Sequence, residues 1–305
     1  QPLSFLITSR SCPHKCSFCS VHTTFGHSYR RRSVDPVIQE IKERYKEGYR
    51  VFDFEDDNLT YFREEMKELC RRLIHEFPNK EARFVAMNGI SYLSLDRELL
   101  SLMREANFTD LNLSLVSSNK TVRETTKRPH TIEKYIQTVE EAAKLGFHIT
   151  SYQILGLPEE EISSMAQTMS FAARFPLLIG VSPFYLTPSS PIARGFPPPD
   201  ETSVFRARLS AMCADADDSR RRDVYTLFIT ARILNFLKSS SETGADLKSA
   251  LDVFRKMPGR GGAGGEILSR LFSEGRLFAK ERNSYHENHL FNARLFFDVC
   301  EGAGY

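Results

Sequence analysis

Sulfur crowded near the start of the chain limits what it can fold into more than any other feature. Cys12-Pro13-His14-Lys15-Cys16-Ser17-Phe18-Cys19 holds three of the six cysteines, directly behind the apolar run Leu3-Ser4-Phe5-Leu6-Ile7-Thr8. The other three, Cys70, Cys213 and Cys300, are scattered. This is no disulfide framework; it is a local metal or redox site suited to a reducing compartment, here the cytoplasm. Soft thiolates select iron–sulfur clusters or zinc over hard cations. A [4Fe-4S] cube asks for four ligands, and one tight loop offers three, which leaves one iron for an outside chelator. Zinc is the competing reading, with His22 as a fourth ligand. Pro13 restricts the loop, and His14, Lys15 and nearby arginines are expected to supply positive charge that favours thiolate.

Behind the triplet, strand-like and helix-like segments alternate. Strands are predicted over 3–8, 51–54, 83–87, 111–115, 147–155 and 177–185. Helices are predicted to start at Asp35-Pro36, with Asp35 as N-cap and Gly48 as the stop, and over 64–77, 96–106, 132–145 and 161–175. Cys70 falls on the apolar face of the 64–77 helix and is expected to be buried packing. Six such units imply an α/β protein with a parallel sheet and outer helices. Six is fewer than the eight of a closed barrel, so the expectation is an open, partial (β/α)6 TIM-like barrel with active-site groups past the carboxyl ends of the strands.

The Pro-rich stretch around 187–199 reads as a boundary between a core domain, 1–195, and a helical C-terminal region, 196–305. In that region helices are predicted over 202–214, 224–237, 247–256, 266–272 and 289–299. The Gly-rich segment 258–265 is expected to be a flexible connection, since it lacks Walker spacing. His286 and His289 are read as an exposed helix start. Cys213 and Cys300 are too isolated for a second cluster.

The chain has 305 residues, 26% of them charged, and a net charge of +2, so nothing compels a nucleic-acid or membrane partner. No apolar run reaches the roughly 20 residues of a membrane span. The chain opens on Gln1 without a basic leader. It is expected to be part of a longer protein.

With aromatic Phe18 just before its last cysteine, the loop resembles the signature of the radical S-adenosylmethionine (SAM) superfamily, over about residues 3–190. The resemblance implies that Cys12, Cys16 and Cys19 hold a [4Fe-4S] cluster whose open iron binds the amino and carboxylate groups of SAM. An electron then splits a carbon–sulfur bond, and a 5′-deoxyadenosyl radical takes a hydrogen atom from substrate. It further implies a one-electron donor such as flavodoxin or ferredoxin, and a small-molecule or peptide substrate. Carried over position by position, Glu55, Asp56 and Asp57 would meet the SAM ammonium. Asn88 would face substrate or SAM. Ser117 stands where many members place a glutamate for the ribose. Arg128 would pair with the carboxylate. Gln153 and Gly156 would line the adenine side, with Phe18 completing the cofactor set. Ser182 to Pro188 would line a substrate cavity.

Thr8 to Cys12, Cys19 to His22, Arg30 to Ser33, Phe54 to Asn58 and Leu155 to Pro158 resemble the branch in which a cobalamin-binding domain precedes the core. Its members methylate unactivated carbon or phosphorus, or rearrange or cyclise substrates. This chain carries no Asp-x-His-x-x-Gly ligand motif, so cobalamin is implied by analogy alone. Arg30 to Arg32 are read as solvated. A non-catalytic zinc- or cluster-binding module and a degenerate partner subunit remain the alternatives.

Overall fold

Apolar runs and capped amphipathic stretches become strands and helices in a computed structural model that describes residues 2–128, 130–187, 189–198, 200–201, 218–242, 247–282 and 284–305. In chain order the elements are β1 (Leu3–Leu6), β2 (Ser9–Arg10), α1 (Val21–Phe25), β3 (Arg30–Arg31), α2 (Val34–Lys46), β4 (Val51–Phe54), α3 (Arg63–Glu76), β5 (Arg83–Val85), α4 (Arg97–Glu105), β6 (Asp110–Val116), α5 (Lys120–Thr125), α6 (Ile132–Lys144), β7 (His148–Leu155), α7 (Ile162–Ala173), β8 (Leu178–Pro183), α8 (Asp218–Glu242), α9 (Leu247–Arg255), α10 (Arg260–Glu274), β9 (Phe278–Glu281), β10 (Ser284–Glu287) and α11 (Ala293–Ala303). Six of the strands are those expected of the β/α units. Two compact units divide the chain. One takes 1–152, 175–178 and 186–198; the other takes 153–174, 179–185 and 199–305.

In the first unit β1, β4 and β5 pair in parallel, and the rows Ser4–Phe52–Phe84 and Phe5–Asp53–Val85 run across the sheet. Side chains alternate between faces. On one face Phe52, Phe54 and Phe84 are buried and stack on one another, joined by Phe77 and Phe108. Arg44 of α2 reaches the Ser4 hydroxyl from that side. The opposite face carries Asp53, with Leu3 and Phe5 left exposed. The 3–8 run is therefore not the wholly buried strand its composition suggests: it alternates, and it ends at Leu6. Parallel bridges Phe84–Phe108 and Ile90–Leu113 continue from β5 toward β6. β6, β7 and β8 form a further sheet in that order, and the chain passes from the first unit to the second within β7. Ser33 rather than Asp35 caps α2, and Asp35 sits in its first turn. There its charge favours the positive end of the helix dipole.

The second unit is less legible from composition. Expected helix 202–214 lies outside the described residues. Expected helix 224–237 is the middle of the longer α8. The Gly-rich segment is not a connection but the first turns of α10. A Cβ at Gly265 would stand 2.6 Å from the Arg255 amide nitrogen, so glycine is what lets α10 approach the end of α9. His286 lies on β10 of an antiparallel β9–β10 hairpin, not at a helix start. Ser170 donates to the Val299 carbonyl at 3.0 Å and Arg174 to that of Gly302, tying α7 to α11.

Candidate iron–sulfur centre

The cysteine loop is held at its entrance by two consecutive carboxylates. β2 and β3 pair antiparallel, clamping the chain on either side of the loop. Asp56, buried just past β4, accepts from the Thr8 amide at 3.1 Å, the Thr8 hydroxyl at 2.7 Å and the Ser9 hydroxyl. Asp57 accepts from the Ser11 amide at 2.9 Å, and Ser11 itself sits at φ 71°, turning the chain sharply before Cys12. The Ser11 hydroxyl donates to the Gly26 carbonyl at 2.7 Å. Inside the loop, the Cys19 amide donates to the Cys16 carbonyl at 3.2 Å and the Ser17 amide to that of Thr126 at 2.9 Å.

All three cysteines of the loop are free. Asn58 Nδ2 donates to Cys12 Sγ at 3.4 Å, and Arg128 Nη1 to Cys16 Sγ at 3.8 Å. Arg128 is braced by the Ser114 carbonyl. Burial pushes the Cys12 and Cys19 thiols up, and neighbouring Cys16 and Asp57 push the same way. Grouped thiols that resist ionising one another are what a polycationic centre overcomes, because a coordinated thiol is deprotonated outright. Three free thiols in one loop, two of them met by N–H donors, fit a cluster.

A single tetrahedral ion fits less well. A zinc would need sulfurs at about 2.3 Å from one point, whereas a cube spreads its thiolates over separate irons. His22, the fourth ligand that reading requires, turns its ring nitrogens to the His14 and Gly26 carbonyls, at 2.8 and 3.2 Å.

His14 does not supply the expected positive charge. Burial lowers its pKa, and Arg128 beside it pushes the same way. His130 is pushed down to about 2 by burial, with Arg128 and His14 adding to it. Its ring stands 5.5 Å from His14 and 4.5 Å from Tyr92, and Nε2 meets the Ser91 hydroxyl at 2.9 Å. Two neutral imidazoles thus flank the loop. Arg128 is a cation that reaches a cysteine sulfur.

The remaining predicted residues divide clearly. Glu55 lies against Asp53 and Asn88, its carboxyl raised by burial and then by the Asp53 charge. Asp56 is fully occupied by the loop. Ser117 Oγ accepts from the Asn119 amide at 3.2 Å. Phe18 is half-buried. In the second unit Gln153 donates to the Met165 carbonyl of α7 at 2.8 Å, and Gly156, at φ 84°, brings its amide to Met165 Sδ at 3.1 Å. Arg31 and Arg32 are not simply solvated: they pair with Glu65 at 3.6 Å and Glu40 at 2.7 Å. Sequence reasoning named Asn58 in the polar run after β4 without singling it out, and the structure brings its amide to Cys12 Sγ.

The family model of the radical SAM superfamily matches residues 6–172. Cytidylyl-2-hydroxyethylphosphonate methyltransferase of Streptomyces wedmorensis is 29% identical over 175 residues, 55% of this chain and 32% of that protein. Bacteriochlorophyllide d C-12(1)-methyltransferase of Chlorobaculum tepidum is 26% identical over 196 residues, 60% of this chain and 41% of that one. The matches thus span between a third and two fifths of these curated relatives. Among solved structures, the radical SAM methyltransferase TsrM from Kitasatospora setae superposes with a TM-score of 0.58 at 17% identity, over 62% of this chain and 37% of that one. The cobalamin-dependent radical enzyme OxsB superposes at 0.55 and 12% identity, over 98% of this chain and 53% of that one. At these identities the likeness concerns the fold, the partial barrel expected from six β/α units. With its family model covering more than half the sequence and including the cysteine loop, this chain belongs to the radical SAM superfamily.

Proposed function

We propose that the protein is an enzyme that cleaves SAM reductively at a [4Fe-4S] cluster held by Cys12, Cys16 and Cys19. The observation that carries this reading is the pair of side chains touching the thiols. Asn58 and Arg128 each donate to one sulfur, and each keeps a buried atom without a partner: an acceptor, Asn58 Oδ1, and a donor, Arg128 Nε. An amino-acid ligand brings the complement, an ammonium for the acceptor and a carboxylate for the guanidinium. When bound, the cluster supplies the electron for carbon–sulfur cleavage. The protein's own residues do the rest: Asp56 and Asp57 hold the loop, Arg128 orients the carboxylate, and Glu55 with Asn88 offers polar contacts beside the site.

We take methyl transfer with cobalamin as the downstream reaction, because two of the relatives named above are methyltransferases and OxsB is cobalamin-dependent. A one-electron donor such as flavodoxin or ferredoxin would reduce the cluster, and the substrate would be a small molecule or peptide. No described helix is long and apolar enough to cross a membrane. Buried free Cys70 and Cys300 suit a reducing compartment, which we take to be the cytoplasm. We also propose 1–195 as the radical core and 196–305 as its C-terminal region.

The test is anaerobic reconstitution with iron and sulfide, followed by dithionite and SAM. Cluster absorbance and release of 5′-deoxyadenosine are expected. A loaded protein that releases none would leave a cluster-binding module without catalysis.

A further inference from the structure

We propose that Asn58 and Arg128 set the reduction potential of the cluster by hydrogen bonding to two of its three thiolates, an inference that rests on the cluster-binding reading above. The geometry gives each cysteine a different surrounding. Cys12 Sγ takes a neutral amide N–H at 3.4 Å, and Cys16 Sγ a cationic guanidinium N–H at 3.8 Å. Backbone groups at His14 and Val21 act on Cys12 and Cys19 respectively, so the side-chain donors are what set Cys12 and Cys16 apart. Hydrogen bonds to sulfur and nearby charge are among the levers that fix an iron–sulfur potential. Both act in one direction here. Reduction adds a negative charge, a donor or a cation stabilises the more negative state, and the potential rises.

Burial makes the effect large. One member of each pair is buried, Asn58 at 2% and Cys16 at 6% exposed, and its partner, Cys12 or Arg128, is half-buried, so solvent screens only part of it. Packing does not explain the two donors. Asn58 Oδ1 and Arg128 Nε are buried without partners, which costs free energy that an aliphatic side chain of the same size would not. A fold that needed only volume here would be steadier with Leu or Met. Arg128 is the cation whose N–H reaches a cysteine sulfur. Neither residue is a cluster ligand; each acts on the potential through the sulfur it touches, apart from any contact its other polar atom makes with SAM.

The experiment measures the midpoint potential of the reconstituted full chain, without SAM, in an anaerobic titration followed by the electron paramagnetic resonance of the reduced cluster. Titanium(III) citrate supplies the single electron. In Arg128→Met the reduced-to-oxidised ratio at fixed poise is expected to fall about tenfold, a downward shift of ~59 mV for one electron. Asn58→Leu is expected to shift it the same way by less, and Arg128→Lys to recover part of the loss. Unchanged potentials in both loaded variants overturn the inference. Should the variants fail to load, wild-type protein labelled with ¹⁵N-arginine decides. Hyperfine coupling from guanidinium nitrogen to the reduced cluster supports the contact, and its absence overturns it. Failure of the wild-type chain to take up iron and sulfide overturns the functional reading, and this inference with it.

Discussion

Removing the Asp56 carboxylate is expected to cost about 3–5 kcal/mol of stability, a value that follows from its three donors. Asp56 is 1% exposed, and the Thr8 amide, the Thr8 hydroxyl and the Ser9 hydroxyl all point at it from residues equally buried. A hydrogen bond to a charged acceptor contributes ~1.5–3 kcal/mol net, and a buried donor left without one costs ~1–3 kcal/mol. The hydroxyls can rotate toward other acceptors, but the Thr8 amide is fixed by its peptide plane. Counting the amide in full and each hydroxyl at ~1 kcal/mol gives the stated range for Asp56→Ala, at the upper end of single substitutions. Asp56→Asn keeps the shape and one acceptor oxygen, so about half the loss is expected. Thr8→Val deletes one hydroxyl contact and should cost ~1–1.5 kcal/mol. Urea unfolding measures the series. With a slope of ~3 kcal/mol/M, the alanine variant should unfold at least ~1 M earlier. An alanine midpoint within ~0.3 M of wild type, or a valine variant weaker than the alanine one, would refute the argument that this carboxylate clamps the loop.

Three further outcomes follow from the same structure. Cys12→Ala, Cys16→Ala and Cys19→Ala should each abolish the brown absorbance of the reconstituted protein, read by iron and sulfide analysis. Gly265→Ala should destabilise the second unit by ~1–3 kcal/mol, because the new methyl meets the Arg255 backbone at 2.6 Å; a thermal midpoint equal to wild type argues against close packing there. His130 titrates near 6.5 when unfolded and at about 2 in the fold, so between these values the unfolded chain holds the extra proton. Stability should therefore fall as pH drops below about 6.5, by up to ~1.4 kcal/mol per unit, and His130→Gln should flatten that slope.

How much of this was legible depended on the range of the interaction. The six β/α units were readable because strand and helix periodicities are local, and the predicted edges fell within a few residues of Leu3–Leu6, Val51–Phe54 and His148–Leu155. The hairpin at 278–287 was not, since its strands are short, polar and largely exposed and carry no apolar alternation. Nor was α10. Glycine lowers helix propensity by ~1 kcal/mol each, and only the approach to Arg255 and Met257 explains why helix forms there regardless. The triplet at 12–19 was plain, because ligand spacing is itself local.

The polar run after β4 marks the boundary of what local pattern can assign. Glu55, Asp56, Asp57 and Asn58 look alike in sequence, four polar groups where the parallel strand ends. Folding sends them to different tasks: Asp56 and Asp57 grip the loop through Thr8, Ser9 and Ser11, Asn58 meets a cysteine sulfur, and Glu55 stays beside Asp53 and Asn88. What sorts them is the position of the cysteine loop, more than forty residues earlier in the chain. The same holds for the histidines. His14 reads as a cation beside thiols, yet its charge is decided by the burial and by Arg128, over a hundred residues away, which also reaches Cys16. Chemistry of this kind is specified by composition but assigned by topology, so the residues most worth mutating are those whose partners lie farthest along the chain.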